Sequence, residues 1–457
     1  MKRILLFSLA VLLTNCGIYK PYSRPKVKTD NLYGAEYATR DTTSLADIRW
    51  QDFFTDARLQ QLIERGLEQN SDLQSAHWRI QEAEAALKSA RLAFLPSFNL
   101  APNGGVSSFD HSAGAWTYSV PLSASWQIDI FGGLNNAKRK AKALYAHSEE
   151  YRQAVRTQLI AGIANLYYTL LMLDDQHEAT HKTAESLMQS AETMRAMMQA
   201  GMANQAGVAQ MEAAAYAAQA TLFDLCQQIR EVENQLCALL GETPHPIERT
   251  TLREQQLPEQ LMVGVPVQML SRRPDVRMAE YALMQSYYAT AAARSALYPT
   301  LSLSGLAGWT NSAGSVIVDP GRLLLSAAAS LTAPLFNGGK ARAQEKIAKA
   351  QQQEAQIAFQ QSLLNAGAEV NSLLSQVQTA RFKREWRERQ IASLTSAVES
   401  TQLLMQHGTT TYLEVLTAQQ NLLAGEISSI SDRFEEMQGV VNLYSALGGG
   451  REESVEK

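Results

Sequence analysis

Cysteine is nearly absent from this chain: 457 residues contain three, Cys16, Cys226 and Cys237. The last two fall in a helical pattern about three turns apart, beyond the ~4.4–6.8 Å Cα separation of a disulfide. Neither a CxxC pair nor a zinc spacing occurs, so buried free thiols are expected and no structural metal. Charge of one sign is also missing. The 41 basic and 45 acidic residues give a formal charge of −4, which offers nucleic acid no general attraction. The most basic stretch, Arg381 to Arg389, includes Glu385 and Glu388 and reads as a salt-bridged solvent face of a helix. His177 and His181 form an i, i+4 pair without a third ligand, and the other histidines are scattered, His407 standing beside Gly408. GxSxG, Walker and HExxH motifs are lacking, and paired carboxylates occur only at helical-surface spacings, so neither an enzyme nor a cofactor is expected.

Long apolar runs are missing too. The longest feature of that kind, Ile4 to Leu13, is well short of the ~20 residues of a spanning helix. It follows Lys2-Arg3 and ends at Thr14-Asn15-Cys16, the layout of an export signal over residues 1–15. Cys16 at its end predicts cleavage before that residue and covalent lipid on its thiol, hence a lipoprotein.

What is present is alternation. From Trp116 to Ile130 every even-numbered side chain is apolar, and the odd-numbered ones are Thr, Ser, Pro, Gln or Asp. That is a strand with two different faces, longer than the ~10 residues that cross a bilayer when tilted. The rest of the chain is mostly helical in pattern, rich in Ala and Gln. The chain also repeats itself. Ser89–Leu100 matches Ala292–Leu303, Ile130–Gly133 matches Leu335–Gly339, and Gly201–Val208 matches Gly408–Val415, at offsets of 203, 206 and 207.

Each unit predicts the same series. A helix (near 59–94 and 266–297) is stopped by Pro96 or Pro299, and two strands follow (near 97–108 and 115–130, then 300–310 and 323–335). Turn-rich loops separate the strands. Gly-Gly pairs then open a helix of about 67 residues, ~100 Å long at 1.5 Å per residue, and a second long helix returns after Gly201/Gly207 or Gly408. Four strands cannot close a barrel, and open edges are not tolerated in lipid. Three copies would supply twelve strands and two copies eight; small polar inner positions favour the water-filled trimer.

Several motifs resemble the outer membrane efflux proteins of the TolC type, in particular the lipoprotein branch serving tripartite multidrug pumps. They are Leu270-Ser-Arg272-Arg273-Pro274-Asp275 with Ala279-Glu280, the Tyr298-Pro299 strand start, Pro334-Leu-Phe336-Asn-Gly338-Gly339, Tyr412-Leu-Glu-Val415 through Gln419, and Leu443-Tyr-Ser-Ala-Leu447-Gly-Gly-Gly450. The resemblance implies a mainly α, mixed fold: a homotrimer with a twelve-stranded barrel, four strands per chain, continuous with an α-helical coiled-coil tunnel. It implies the outer membrane of a Gram-negative bacterium, a periplasmic membrane-fusion adaptor and an inner-membrane resistance-nodulation-division transporter as partners, and conduction without catalysis. Outlets of type I protein secretion share this pattern; a pore-less coiled-coil lipoprotein would have no use for the two-faced strands.

The expected organisation is signal 1–15, lipidated extended segment 16–58, first repeat 59–258 (strands 97–131, hairpin 134–240), second repeat 259–450 (strands 300–336, hairpin 340–447) and tail 451–457. Trp116, Tyr118, Trp126 and Trp309 suit the membrane interface. Pro274 and Asp275 suit a helix start, with Arg272 and Arg273 tying it to a neighbour and Glu280 completing the motif. Gly201, Asn204, Gly207, Gly408, Thr409, Thr410, Thr411 and Glu414 form the expected periplasmic tip and gate. The sequence departs from the family pattern at Asn15, at Arg451 where Trp is usual, and at a tip without a carboxylate before Glu414.

Overall fold

The computed structural model describes residues 20–27, 31–34, 41–108, 110, 113–256, 258, 260–264, 266–313, 316–407 and 409–451. Cys16 with its signal, and Gly408, lie outside the described residues.

Chain order is α1 (Ala57–Gln69), α2 (Ser71–Leu92), β1 (Ser97–Leu100), β2 (Asn103–Ser107), β3 (Ala115–Ile128), α3 (Gly133–Gln199), α4 (Gln205–Leu240), α5 (Pro274–Ser295), β4 (Thr300–Ala313), β5 (Val316–Thr332), α6 (Lys340–Gln406) and α7 (Tyr412–Ala446). The long helices and the repeat are as expected; α3 and α6 each have 67 residues. Two compact units divide the chain. One includes Trp78–Glu150 and Arg277–Gln361 and holds the sheet; the other includes Tyr151–Val276 and the segment from Ser362 onward.

Local chemistry corrects several boundaries. The single helix expected near 59–94 is broken at Asn70, whose side-chain oxygen accepts from the N–H groups of Asp72 and Leu73 at 3.0 Å and whose amide donates to the Leu239 carbonyl at 2.9 Å. The helix expected near 266–297 is two short turns, Pro266–Gln268 and Met269–Arg272, followed by α5. Arg273 is extended (ψ 119), as the residue before a proline prefers, and Pro274 opens the new helix.

The sheet is antiparallel, in the order β1-β3-β4-β5, with β2 also on β3. β1 and β2 keep one register against β3 (Leu100 opposite Leu122, Asn103 opposite Ser119), so they are one strand interrupted at Ala101-Pro102, where proline removes a donor. Four strand positions result. β3 and β4 pair across the repeat boundary over ten residues, Ser119–Ile128 with Leu301–Thr310. The second strand pair is longer than its sequence pattern indicated: β5 begins at Val316, and β4 runs past a bulge between Thr310 and Ser312. At that bulge the Asn311 side chain takes over the ladder, accepting from Tyr118 N–H (2.7 Å) and donating to the Trp116 carbonyl (2.9 Å).

In the second unit the core is a stripe on α3 containing Leu159, Ile163, Tyr167, Leu170 and Leu171. α7 contributes Val440, Val441, Leu443 and Tyr444, and Phe53 stacks on Tyr444 with ring centroids 4.2 Å apart. Among the described residues no helix is long and apolar enough to cross a membrane.

Candidate functional site

The sheet presents two chemically distinct faces. On β3 the even-numbered side chains Trp116, Tyr118, Val120, Leu122 and Trp126 stand out from the chain, Trp116 being 74% exposed and Leu122 45%. Register puts Trp309 beside Val120 and Leu303 beside Trp126, and next to these on β5 come Leu323 and Ala329. Directly opposed residues share a face, so one apolar surface runs across all strand positions. The other face carries Ser123, Ser125 and Gln127 with Ser302, Ser304 and Ser330, interrupted by Leu306 and Leu324. Two aromatics on the apolar face are also anchored. Trp126 donates its indole N–H to the Phe94 carbonyl (2.8 Å), and the Tyr118 hydroxyl accepts from Gly321 N–H (3.1 Å). Among the described residues the outer edges of β1/β2 and of β5 have no partner strand.

The hairpin tips are a second candidate site. Gly201 follows the end of α3 with φ +76, a left-handed turn with nothing within 4 Å of a hypothetical Cβ. Asn204 is the N-cap of α4, its side chain accepting from Gly207 N–H at 2.8 Å. Gly207 is therefore not an open break as its sequence position suggested. It lies buried in the first turn of α4, where a Cβ would meet Met194 Cε at 2.9 Å and Tyr412 Cδ1 at 3.0 Å. Thr409 closes α6 by donating both its N–H (2.9 Å) and its hydroxyl (3.0 Å) to the Leu404 carbonyl. Thr411 is the N-cap of α7 without a side-chain bond, and the Thr410 hydroxyl donates to the exposed Glu414 carboxylate. Beneath these turns Met194, Val208, Met211, Met405 and Val415 pack as one apolar cluster joining the two hairpins.

The Arg-Arg-Pro-Asp motif is a structural clamp. Arg273, 7% exposed, donates to Asp275 (3.0 and 2.6 Å), Glu369 (2.7 Å) and the Ala446 carbonyl at the end of α7 (2.7 Å). Asp275 also accepts from Val276 N–H at 2.8 Å. Lost hydration alone would raise the Asp275 pKa, but the hydrogen bonds and charge of Arg273 outweigh it and hold the carboxyl below its ordinary range. Arg272 pairs with Asp47 at 2.8 Å. The C-terminal glycines interlock with the same motif: Gly448 has φ +90, and a Cβ there would sit 2.6 Å from the Arg272 carbonyl. Arg451 donates to the Ser271 carbonyl at 3.0 Å. Glu280 is not with this clamp. It is buried and holds Arg24 in a bidentate pair (2.6 and 2.7 Å), while Tyr287 donates to the Lys20 carbonyl (2.7 Å), so both dock the N-terminal segment on α5.

Two expectations are corrected. The basic run of α6 is not merely self-paired, because it reaches buried carboxylates of α7: Arg381 to Glu436 (2.9 Å), and Lys383 and Arg387 to Asp432 (3.0 and 2.8 Å). Burial would raise the Asp432 pKa, and the hydrogen bonds from Arg387 and Lys383 reverse that and lower it. The only hint in sequence was acid placed on an apolar helical face. Cys226 is exposed rather than buried; Cys237 is buried, 3.0 Å from His245 Nδ1. The His177 and His181 rings lie 6.4 Å apart, and no group of three metal-ligating side chains occurs among the described residues.

Comparison with known proteins gives this geometry a context. The family model described as "Outer membrane efflux protein" matches residues 62–242 and 265–449, one segment per repeat. Cation efflux system protein CusC of Escherichia coli O6:H1 is 28% identical over 456 residues, 98% of each chain. Pyoverdine export outer membrane protein OpmQ of Pseudomonas aeruginosa is 30% identical over 474 residues, covering 98% of this chain and 97% of its own. The solved open state of the Neisseria gonorrhoeae MtrE outer membrane channel superposes with a TM-score of 0.84 at 26% identity, over 95% of this chain and 98% of that one. These relatives are channels and exporters rather than enzymes. With both repeats matched, the chain belongs to the outer membrane efflux protein family and is an outer-membrane efflux channel.

Proposed function

We propose that the chain is the outlet of a tripartite efflux pump, acting as a homotrimer whose twelve strand positions close one barrel. Its partners are a periplasmic membrane-fusion adaptor and an inner-membrane resistance-nodulation-division transporter, and lipid on Cys16 anchors it in the outer membrane. The observation that carries this reading is the sheet: one continuous apolar face, a Ser- and Thr-rich face opposite, and two edges without a partner strand among the described residues. In hydrocarbon each unpaired backbone group costs several kcal/mol, so the edges must pair with other copies. Twelve strands leave a lumen that water can fill, which the hydroxyl-lined face suits. Trp116 and Trp126 lie near opposite ends of β3, ~33 Å apart along the strand and ~23 Å when tilted, the spacing of two interfacial aromatic belts.

The hairpin tips face the adaptor and form the gate. Asn204, Thr409 and Thr410 already hold backbone or side-chain partners, and the carboxylate of Glu414 accepts a hydroxyl hydrogen bond. Closure therefore rests on size and hydrogen bonding more than on a ring of charge. Single-channel recording in planar bilayers tests both parts. Discrete conductance steps, weak cation selectivity and little block by hexaamminecobalt(III) are expected. A silent bilayer would contradict a channel, and strong block that disappears in Glu414→Gln would place an acidic ring at the mouth.

A further inference from the structure

Half of the chain's 14 methionines fall between Met188 and Met211 or at Met405, all near the hairpin tips. Met194, Met211 and Met405 are buried in the cluster that joins the hairpins, while Met197 and Met198 are partly buried and pack against it. Met202, one turn further, is 68% exposed. α3 reaches this point through a stripe of Ala184, Leu187, Ala191 and Met194, and Met197 and Met198 extend it by one turn. Unbranched thioethers fill an irregular joint with little strain and repack when it moves, and the Met194 methyl lies against Gly207, where a Cβ would sit 2.9 Å from it. The same chemistry makes the joint vulnerable, because a thioether at the surface is readily oxidised.

We propose that Met197 and Met198 are an oxidation-sensitive modification site whose sulfoxides loosen the joint between the two helical hairpins. With hypochlorous acid as oxidant, a sulfur lone pair takes the oxygen and chlorine leaves as chloride. Sulfur loses two electrons, chlorine gains them, and the proton goes to water. The new S=O is a strong acceptor pressed against the apolar side chains of that cluster, so the joint opens to hydrate it. Met202 has water around it, and its oxidation leaves the joint unchanged. Methionine sulfoxide reductases reverse the modification.

The tip as gate belongs to the reading above; the oxidation site is tested without reference to conduction. The purified full-length channel is treated with limiting hypochlorous acid and followed by peptide mapping and hydrogen exchange. Met197, Met198 and Met202 should oxidise ahead of Met194, Met211 and Met405. Exchange across residues 188–211 should then rise roughly tenfold, the factor equivalent to ~1.4 kcal/mol, and return after reductase treatment. The Met197→Leu/Met198→Leu variant, nearly equal in volume, should resist the change, whereas Met202→Leu should not. Unchanged exchange in channels oxidised at Met197 and Met198, or an equal rise in the double-leucine variant, would overturn the proposal. Conductance recorded on the same samples reports separately on the gate: faster exchange with unaltered conductance would support the oxidation site and count against the tip as the constriction.

Discussion

Arg273 shows how a charge is kept inside this protein. Burial alone would favour loss of its proton, but the hydrogen bonds and charges of Asp275 and Glu369 raise its pKa, and the Ala446 carbonyl accepts a further hydrogen bond. The arrangement joins the start of α5 to the middle of α6 and the end of α7 through one side chain. Replacing it with methionine keeps most of the volume and removes these bonds, while the two half-exposed carboxylates regain water. A loss of about 1–3 kcal/mol is expected, seen as a lower melting temperature. The sign of its pH dependence follows from Asp275. Its folded pKa lies below the unfolded value of 3.8, so the stabilisation is complete above 3.8 and lost as pH falls through the folded value. The melting difference between wild type and Arg273→Met should thus be steady at neutral pH and shrink below pH 3.8; an undiminished difference in acid would assign the stability to packing instead.

The strands and helices differ in how much of them the sequence discloses. Period-two alternation in β3 gave both its faces, because each side chain there answers only to which side of the sheet it is on. The long helices were equally legible from composition and from the glycines that bound them. Asn70 and Asn311 were not. Each substitutes a side-chain amide for a backbone partner, and the groups they meet (Leu239, and Trp116 with Tyr118) are distant in sequence. The pairing of the α6 basic run with Asp432 and Glu436 was hidden for the same reason. Of the tip residues, Gly201 was readable as a turn, whereas Gly207 looked like a break and is a packing contact, which only the Tyr412 ring above it reveals. The facing of β3 is itself testable. Leu122→Arg puts a charge near the middle of the apolar face, at a cost of ~2–4 kcal/mol per chain in the bilayer, and should sharply reduce assembled protein in outer membranes. Ser125→Arg, on the polar face, should leave the assembled amount near wild type. Equal loss in both variants would mean that the two faces do not separate lipid from water.

For the molecule as a whole, the two repeats explain why one chain is insufficient. Each contributes a strand pair, β3 and β4 join them, and among the described residues the outer edges of β1/β2 and β5 remain to be satisfied. The same duplication gives two hairpins, joined at their tips by the methionine-rich cluster. The most direct measurement is the mass of the intact complex, purified from outer membranes in mild detergent. Three mature chains per particle, twelve strand positions in all, are expected. A stable particle of one chain, or of two, would contradict this, since neither closes a water-filled barrel from this sheet.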